Sequence, residues 1–164
     1  MSTSSSYQLL DGKKLSAELL AVLKIKIKEE NLTPSLAIIL CGDNPASVMY
    51  TSMKKERCLE IGIKAEIYSF PERTNQTYTE QDVINKIKSL NQTVDGIIVQ
   101  LPLPHALNQD KILAAIDQAR DVDGLTETSL GLVLRDLNAS VPATPKGIIR
   151  LLEAYNIQLK GKEI

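Results

Sequence analysis

Tryptophan is absent from this chain of 164 residues, phenylalanine occurs once, and aromatics make up only 4%. Too few flat rings remain for the stacking platforms on which single-stranded nucleic acids are held. Charge of one sign is also lacking: 19 basic residues stand against 20 acidic ones, for a formal net charge of −1. With no long basic patch, neither nucleic acid nor a membrane is an expected partner. No apolar run approaches the roughly 18 residues that span a bilayer. The opening MSTSSSYQ has no basic segment followed by an apolar one and reads as a frayed terminus, not a secretory signal. Only two cysteines occur, Cys41 and Cys58, without Cys-x-x-Cys or zinc spacing. They read as reduced thiols of a cytoplasmic protein with no metal site. None of the glycines forms a Gly-x-Gly-x-x-Gly dinucleotide fingerprint. No internal repeat is visible.

What is present fits one domain, and a chain of this size buries about 70% of its unfolded surface. A first helix is expected from about residue 12 to 30, with Leu15, Leu19, Val22 and Leu23 as its packed face. The run LKIKIK at 23–28 alternates like a strand. It continues the helical stripe without a turn signal, so the helix is kept and the lysines are placed on its solvated side. Residues 35–40 form a strand and 41–45 a loop. Ser47 is the expected cap of a helix that runs to Ile61 and is stopped by Gly62. A second strand over 64–70 ends at Pro71, and 71–78 is a polar loop. Thr79 and Asp82 open a helix to Leu90. A third strand spans 95–100, and a helix spans 108–118. Thr144-Pro145 reads as cap and first residue of a late helix, the cap being worth about 1 kcal/mol. Residues 157–164 read as a turn and the start of another strand. Alternating strands and helices predict an α/β fold: three layers, α-β-α, around a mainly parallel sheet with right-handed crossovers.

One segment stands out. In DGIIVQLPLP, at 95–104, a β-branched run ends in Gln100 and two prolines. Pro102 and Pro104 have no backbone donor and cannot continue a central strand. Gln100 therefore sits at the carboxyl end of a strand, where open α/β sheets bind ligands. Tyr50 and Lys54, four apart, share a helix face near the same edge. The loop Asp121-Val122-Asp123-Gly124 is expected there as well. Taken singly, each signal stays open. Tyr50 reads equally as a surface or core aromatic and Lys54 as one of a solvated charged run. Gln100 is also a plausible strand cap, and Asp121–Gly124 a turn.

Together, these segments closely resemble one family. PSLAIILCGDNPAS at 34–47, Tyr-x-x-x-Lys at 50–54, DGIIVQLPLP, DVDG at 121–124 and TPKG at 144–147 are similar to the N-terminal catalytic domain of bifunctional methylenetetrahydrofolate dehydrogenase/cyclohydrolases. The resemblance covers nearly everything after the first ten residues. It implies oxidation of 5,10-methylenetetrahydrofolate by NADP to the methenyl cation, then hydrolysis to 10-formyltetrahydrofolate. It also implies that Lys54 is catalytic, supported by Gln100, that Tyr50 stacks on the folate, and that Asp123 grips the pterin. Val99 and Leu101 are the remaining implied substrate-binding positions. Gln100 is neutral, so it orients the amine without the bias towards the charged form that a carboxylate would impose.

The family's Pro-Cys-Thr-Pro is here Pro142-Ala143-Thr144-Pro145, a packing change. Its frequent basic residue two beyond the catalytic lysine is here Glu56. His105, the only histidine, is read as a loop residue. The resemblance further implies a second, Rossmann domain that binds NADP, and no residues for it occur in this chain. Residues 1–10 are thus expected to be a frayed terminus, 11–155 the folate-binding domain, and 156–164 the start of a connection to that missing domain. The parent is expected to be a homodimer and the fragment a monomer without dehydrogenase activity. The competing readings are a noncatalytic interaction domain that keeps the fold, and a Rossmann-like module for another small molecule.

Overall fold

The structure is a computed structural model and describes residues 7–71 and 78–163. At its centre lies β1 (Ser35–Cys41), whose last five residues are all buried. It pairs in parallel with β2 (Lys64–Phe70) on one side and β3 (Gly96–Val99) on the other, in the order β2-β1-β3. Ile39 is level with both Tyr68 and Val99. Parallel neighbours require crossovers, and helices supply them. These are α2 (Pro45–Ile61) between β1 and β2 and α3 (Glu80–Leu90) between β2 and β3. On one face Ala37, Ile39 and Cys41 pack with Ile97, Val99, Val83, Ile87 and Ile112. The alternate residues Ile38 and Leu40 are buried on the face towards α2. This is the predicted three-layer α/β arrangement.

The early boundaries follow local chemistry. Asn44, not Ser47, caps α2: its Oδ1 accepts from the Ala46 and Ser47 amides at 3.0 and 3.1 Å. Pro45 then occupies the first helical position, where its fixed φ suits the helix and its missing donor is harmless. Ser47 is instead buried inside the helix. Gly62 ends α2 at φ +94°. At α3 the expected capping box is complete. Asp82 N donates to Thr79 Oγ1 at 3.2 Å, and Thr79 N donates to Asp82 Oδ2 at 2.8 Å. The polar loop expected at 71–78 lies mostly outside the described residues, as does the start of the frayed terminus.

Later elements depart from expectation. The helix placed at 108–118 is the short α4 (Gln109–Leu113), followed by a 3-10 turn at Gln118–Arg120. Buried Asn91 explains the break. Its Nδ2 donates to the Ala115 carbonyl at 2.9 Å, and its Oδ1 accepts from Asp117 N at 3.1 Å. Those bonds fix the chain end-on to α3. An unforeseen helix, α5 (Glu127–Leu134), follows, capped by Thr126. The last helix, α6 (Ala143–Ala154), begins ahead of Thr144-Pro145, and Pro142 at its cap makes no side-chain bond, so the expected cap energy is absent. No strand starts at 157–163; Lys162 N instead closes a turn onto the Leu159 carbonyl at 3.1 Å. Finally, α1 (Gly12–Glu29) has no buried residue. Leu15 is half-buried, but the rest of the expected packed face, Leu19, Val22 and Leu23, is exposed. The helix rests on α2 and touches α6, where Tyr155 Oη accepts from Asp11 N at 2.9 Å.

The loop after the 3-10 turn is fastened to the sheet. Asp121 forms a parallel bridge to Ile97. Gly96 makes room beside it, since a Cβ there would meet Val122 Cγ1 at 2.7 Å. The Asp121 side chain is buried and folds the loop around itself. Oδ1 accepts from Gly124 N (2.8 Å) and Leu125 N (3.2 Å); Oδ2 accepts from Thr126 N (2.9 Å) and Thr126 Oγ1 (2.7 Å). Burial pushes this carboxyl up, but the nearby Ser129 hydroxyl and the hydrogen bonds from Thr126 and Leu125 outweigh it and hold the group below the usual carboxylate range. Gly124 is held at φ +69°, and a Cβ there would collide with the Ser140 carbonyl oxygen.

Two outcomes follow from this loop. Gly124→Ala should lower stability by about 2 kcal/mol or more, because left-handed backbone and collision add, measured as a drop in the urea midpoint. Asp121→Asn should destabilise by about 2 kcal/mol at pH 7, since a charge-assisted acceptor is lost. Because the folded carboxyl titrates below its unfolded value of about 3.9, its contribution is complete above that pH and vanishes as pH falls through the lowered folded value. The gap between wild type and Asp121→Asn should therefore narrow in urea titrations as pH drops below 4; a gap that widens would contradict the assignment.

Candidate functional site

The carboxyl end of β3 meets α2 at one contact. The Gln100 amide hydrogen donates to the Ile39 carbonyl at 2.9 Å, extending the ladder one residue past the strand. Pro102 then ends any further pairing, and the Leu101–Pro102 bond is cis. The Gln100 side chain turns to α2, where Lys54 Nζ donates to its Oε1 at 3.0 Å. Its Nε2 donates to the Leu101 carbonyl at 2.6 Å. These two partners fix the amide's orientation: of its two ends, only the nitrogen can donate to the Leu101 carbonyl and only the oxygen can accept from Lys54 Nζ. Both side chains are half-buried. Lys54 keeps two further donors beyond this bond.

Tyr50 lies one turn before Lys54 on α2, with 54% of its surface exposed. Asp123 sits in the loop that Asp121 folds, half-buried, and its carboxylate takes no hydrogen bond among the described residues. Leu101 is half-buried against the core. Val99 has its side chain buried in the central core. Thus the structure joins Lys54, Gln100 and Leu101 by direct bonds and places Tyr50 on the same helix. Asp123 is tied to the sheet only through its neighbours Asp121 and Val122.

Two residues escaped the sequence reading. Asp121 and Thr126 carry the bonds that shape the loop, although Asp-x-x-Gly ahead of a hydroxyl residue is the pattern of a side chain satisfying backbone amides downstream. The other polar groups near the edge do not compete. Glu56 is exposed, and His105 is an exposed turn residue. Cys41, at the end of β1, is buried, and that burial pushes its thiol up to about 12, which leaves it unreactive. Among the described residues no three His, Cys, Asp or Glu side chains converge as a metal site, and no helix is long and apolar enough to cross a membrane.

A partly apolar groove lies elsewhere. It holds about 590 Å³ between α1 and α6, lined by residues including Leu15, Leu19, Leu23, Val141 and Leu151. Tyr50, Lys54, Gln100 and Asp123 do not line it; Val122 alone reaches it from the 121–126 loop. The groove also carries the polar side chains Ser16, Ser140, Lys146 and Arg150, so the two places differ in which polar groups they bring together.

Comparison with known proteins gives the family. Residues 10–123 match the model of the tetrahydrofolate dehydrogenase/cyclohydrolase catalytic domain. The bifunctional protein FolD of Thermodesulfovibrio yellowstonii is 41% identical over 163 residues, covering 96% of this chain and 56% of that protein. The crystal structure of the bifunctional FolD methylenetetrahydrofolate dehydrogenase/cyclohydrolase from Campylobacter jejuni superposes with a TM-score of 0.89 at 40% identity. It covers 96% of this chain and 56% of its own. A Trypanosoma brucei methylenetetrahydrofolate dehydrogenase-cyclohydrolase, solved with NADP cofactor and inhibitor, gives a TM-score of 0.78 at 25% identity, over 92% of this chain and 51% of its own. The chain spans about half the length of the curated relatives it matches. With that fold, and with Lys54 held by Gln100 at the sheet edge, the chain belongs to the tetrahydrofolate dehydrogenase/cyclohydrolase family.

Proposed function

We propose that this chain supplies the folate site and the catalytic lysine for oxidation of 5,10-methylenetetrahydrofolate and hydrolysis of the methenyl product to 10-formyltetrahydrofolate. The observation that carries the reading is the 3.0 Å bond from Lys54 to the Gln100 oxygen, at the end of a strand inside the family's catalytic domain. In this reading the exposed ring of Tyr50 stacks on the flat portion of the folate. The unpartnered Asp123 carboxylate accepts from the donor-rich pterin edge. Leu101 lends apolar contact, and Val99 supports the strand from within the core.

Hydrolysis needs a group that takes a proton from water as it adds to the methenyl carbon. Lys54 is that group. The Gln100 amide aims it and adds no charge, whereas a carboxylate in the same place would favour the ammonium and oppose proton uptake. The positive methenyl carbon also disfavours a second positive charge beside it.

NADP, as the hydride acceptor, supplies the oxidation when bound. No dinucleotide fingerprint occurs among this chain's glycines, so no residue here is assigned to it. Its binding is placed in the half of the relatives' length that this chain does not span, and the dimer contacts of the parent are placed there too. Paired with free thiols at Cys41 and Cys58, this chemistry is placed in the cytoplasm.

The test uses a protein of the relatives' full length that carries these residues. Lys54→Met should reduce methenyltetrahydrofolate hydrolysis at least about 100-fold, the usual scale for losing an acid–base group, while folate binding stays measurable by calorimetry. Hydrolysis near the wild-type rate would overturn the lysine's role. Gln100→Glu should retain the contact with Lys54, yet slow hydrolysis by about tenfold or more and move the pH–rate profile to higher pH, because the added charge favours the ammonium.

A further inference from the structure

We propose that Asp121, acting with Thr126, is the positioning residue that presents Asp123 to the substrate. The inference rests on the reading of Asp123 as the pterin contact, and deepens it. The two aspartates of the same loop have opposite environments. Asp121 is 2% exposed, and four donors within its own loop saturate it. Asp123 is more open, and its carboxylate accepts no hydrogen bond among the described residues. One carboxylate is consumed in making the loop, and the other is left over.

The loop is held from three sides. Inside, Asp121 gathers the amides of Gly124, Leu125 and Thr126, bending the chain sharply straight after Asp123. On the sheet side, the Ile97–Asp121 bridge and the close approach of Val122 to Gly96 tie the loop to β3, the strand that ends in Gln100. On the outer side, Gly124 lies against the backbone of residues 140–142, too close for any Cβ. Thr126 joins the first of these anchors to α5. Its Oγ1 donates to Asp121 Oδ2 at 2.7 Å and accepts from Ser129 N at 3.1 Å, so it caps the helix and clamps the carboxylate together. Asp123 has no anchor of its own, so its position is set by these neighbours. Precise placement matters because a charge-assisted hydrogen bond to a ligand weakens steeply once distance or angle is lost.

A merely structural Asp121 would lower stability without acting through Asp123, and a double-mutant cycle separates the two roles. Tetrahydrofolate is titrated calorimetrically into this 164-residue chain, at a temperature where circular dichroism shows each variant folded. Asp123→Ala should weaken binding by about tenfold or more, as loss of one charged hydrogen bond predicts. Asp121→Asn should weaken it similarly in the wild-type background, but by less than about twofold in the Asp123→Ala background. Equal losses in both backgrounds, or no loss in a folded Asp121→Asn, would overturn the positioning role. Should Asp121→Asn fail to fold, the Thr126 pair decides. Thr126→Val, which removes the clamp, should weaken binding, whereas Thr126→Ser, which keeps both bonds, should restore it to within about twofold. Binding unchanged in both Thr126 variants would overturn the proposal. If wild type binds but Asp123→Ala binds equally well, the pterin contact itself is wrong, and the positioning role falls with it.

Discussion

Everything in this fold depends on β1 being a middle strand. It pairs on both edges in the same direction, and its residues are buried on both faces. Parallel pairing on both sides forbids hairpins and forces each connection across a face of the sheet. Helices must therefore cover both faces, and the chain must leave every strand at the same edge. That edge collects the start of α2, the Gln100 turn and its prolines. The lysine–glutamine contact is a consequence of this geometry. Lys54 and Gln100 lie far apart in sequence, yet one helix turn and one strand end bring them within 3.0 Å.

Polar chemistry around the sheet is divided between saturated and open groups. Asp121 and Asn91 are buried and fully engaged, and they dictate backbone paths that hydrophobic patterning does not encode. Buried polar groups are tolerated only when so satisfied. By contrast, the Asp123 carboxylate and the ring of Tyr50 are left with capacity to spare. Lys54 is intermediate, oriented by one neutral bond with two donors still available. The apolar groove between α1 and α6 has a different character. Its lining mixes aliphatic side chains with Ser16, Ser140, Lys146 and Arg150, and α1 keeps Leu19, Val22 and Leu23 exposed.

Legibility in the sequence followed the range of the interactions involved. The three strands, α2 and α3 were readable because each is bounded by a strong local signal: Pro45, Gly62, Pro71, Thr79 with Asp82, and the prolines after Gln100. Ser47 was mistaken for a cap because Asn44-Pro45, three residues earlier, is the better one. α4 was drawn too long because Asn91, on another helix, takes the backbone groups that would have continued it. α5 went unseen, since its cap, Thr126, is shared with a buried carboxylate. The stripe on α1 is apolar yet exposed, because periodicity reports which side is greasy and not whether anything lies against it. The Val99 side chain faces the core, a distinction of facing that the β-branched run does not reveal.

By itself the sequence determined the α/β order, the parallel sheet, and the presence of a polar residue at the tip of β3. All of these follow from periodicity and from residues that restrict their own backbone. Tertiary structure alone decided the geometry of the Lys54–Gln100 contact, which way the Gln100 amide faces, and that Asp121 is spent on the loop's own backbone. Those outcomes depend on hydrogen bonds between segments separated in sequence or folded back on themselves, and no local pattern carries that information.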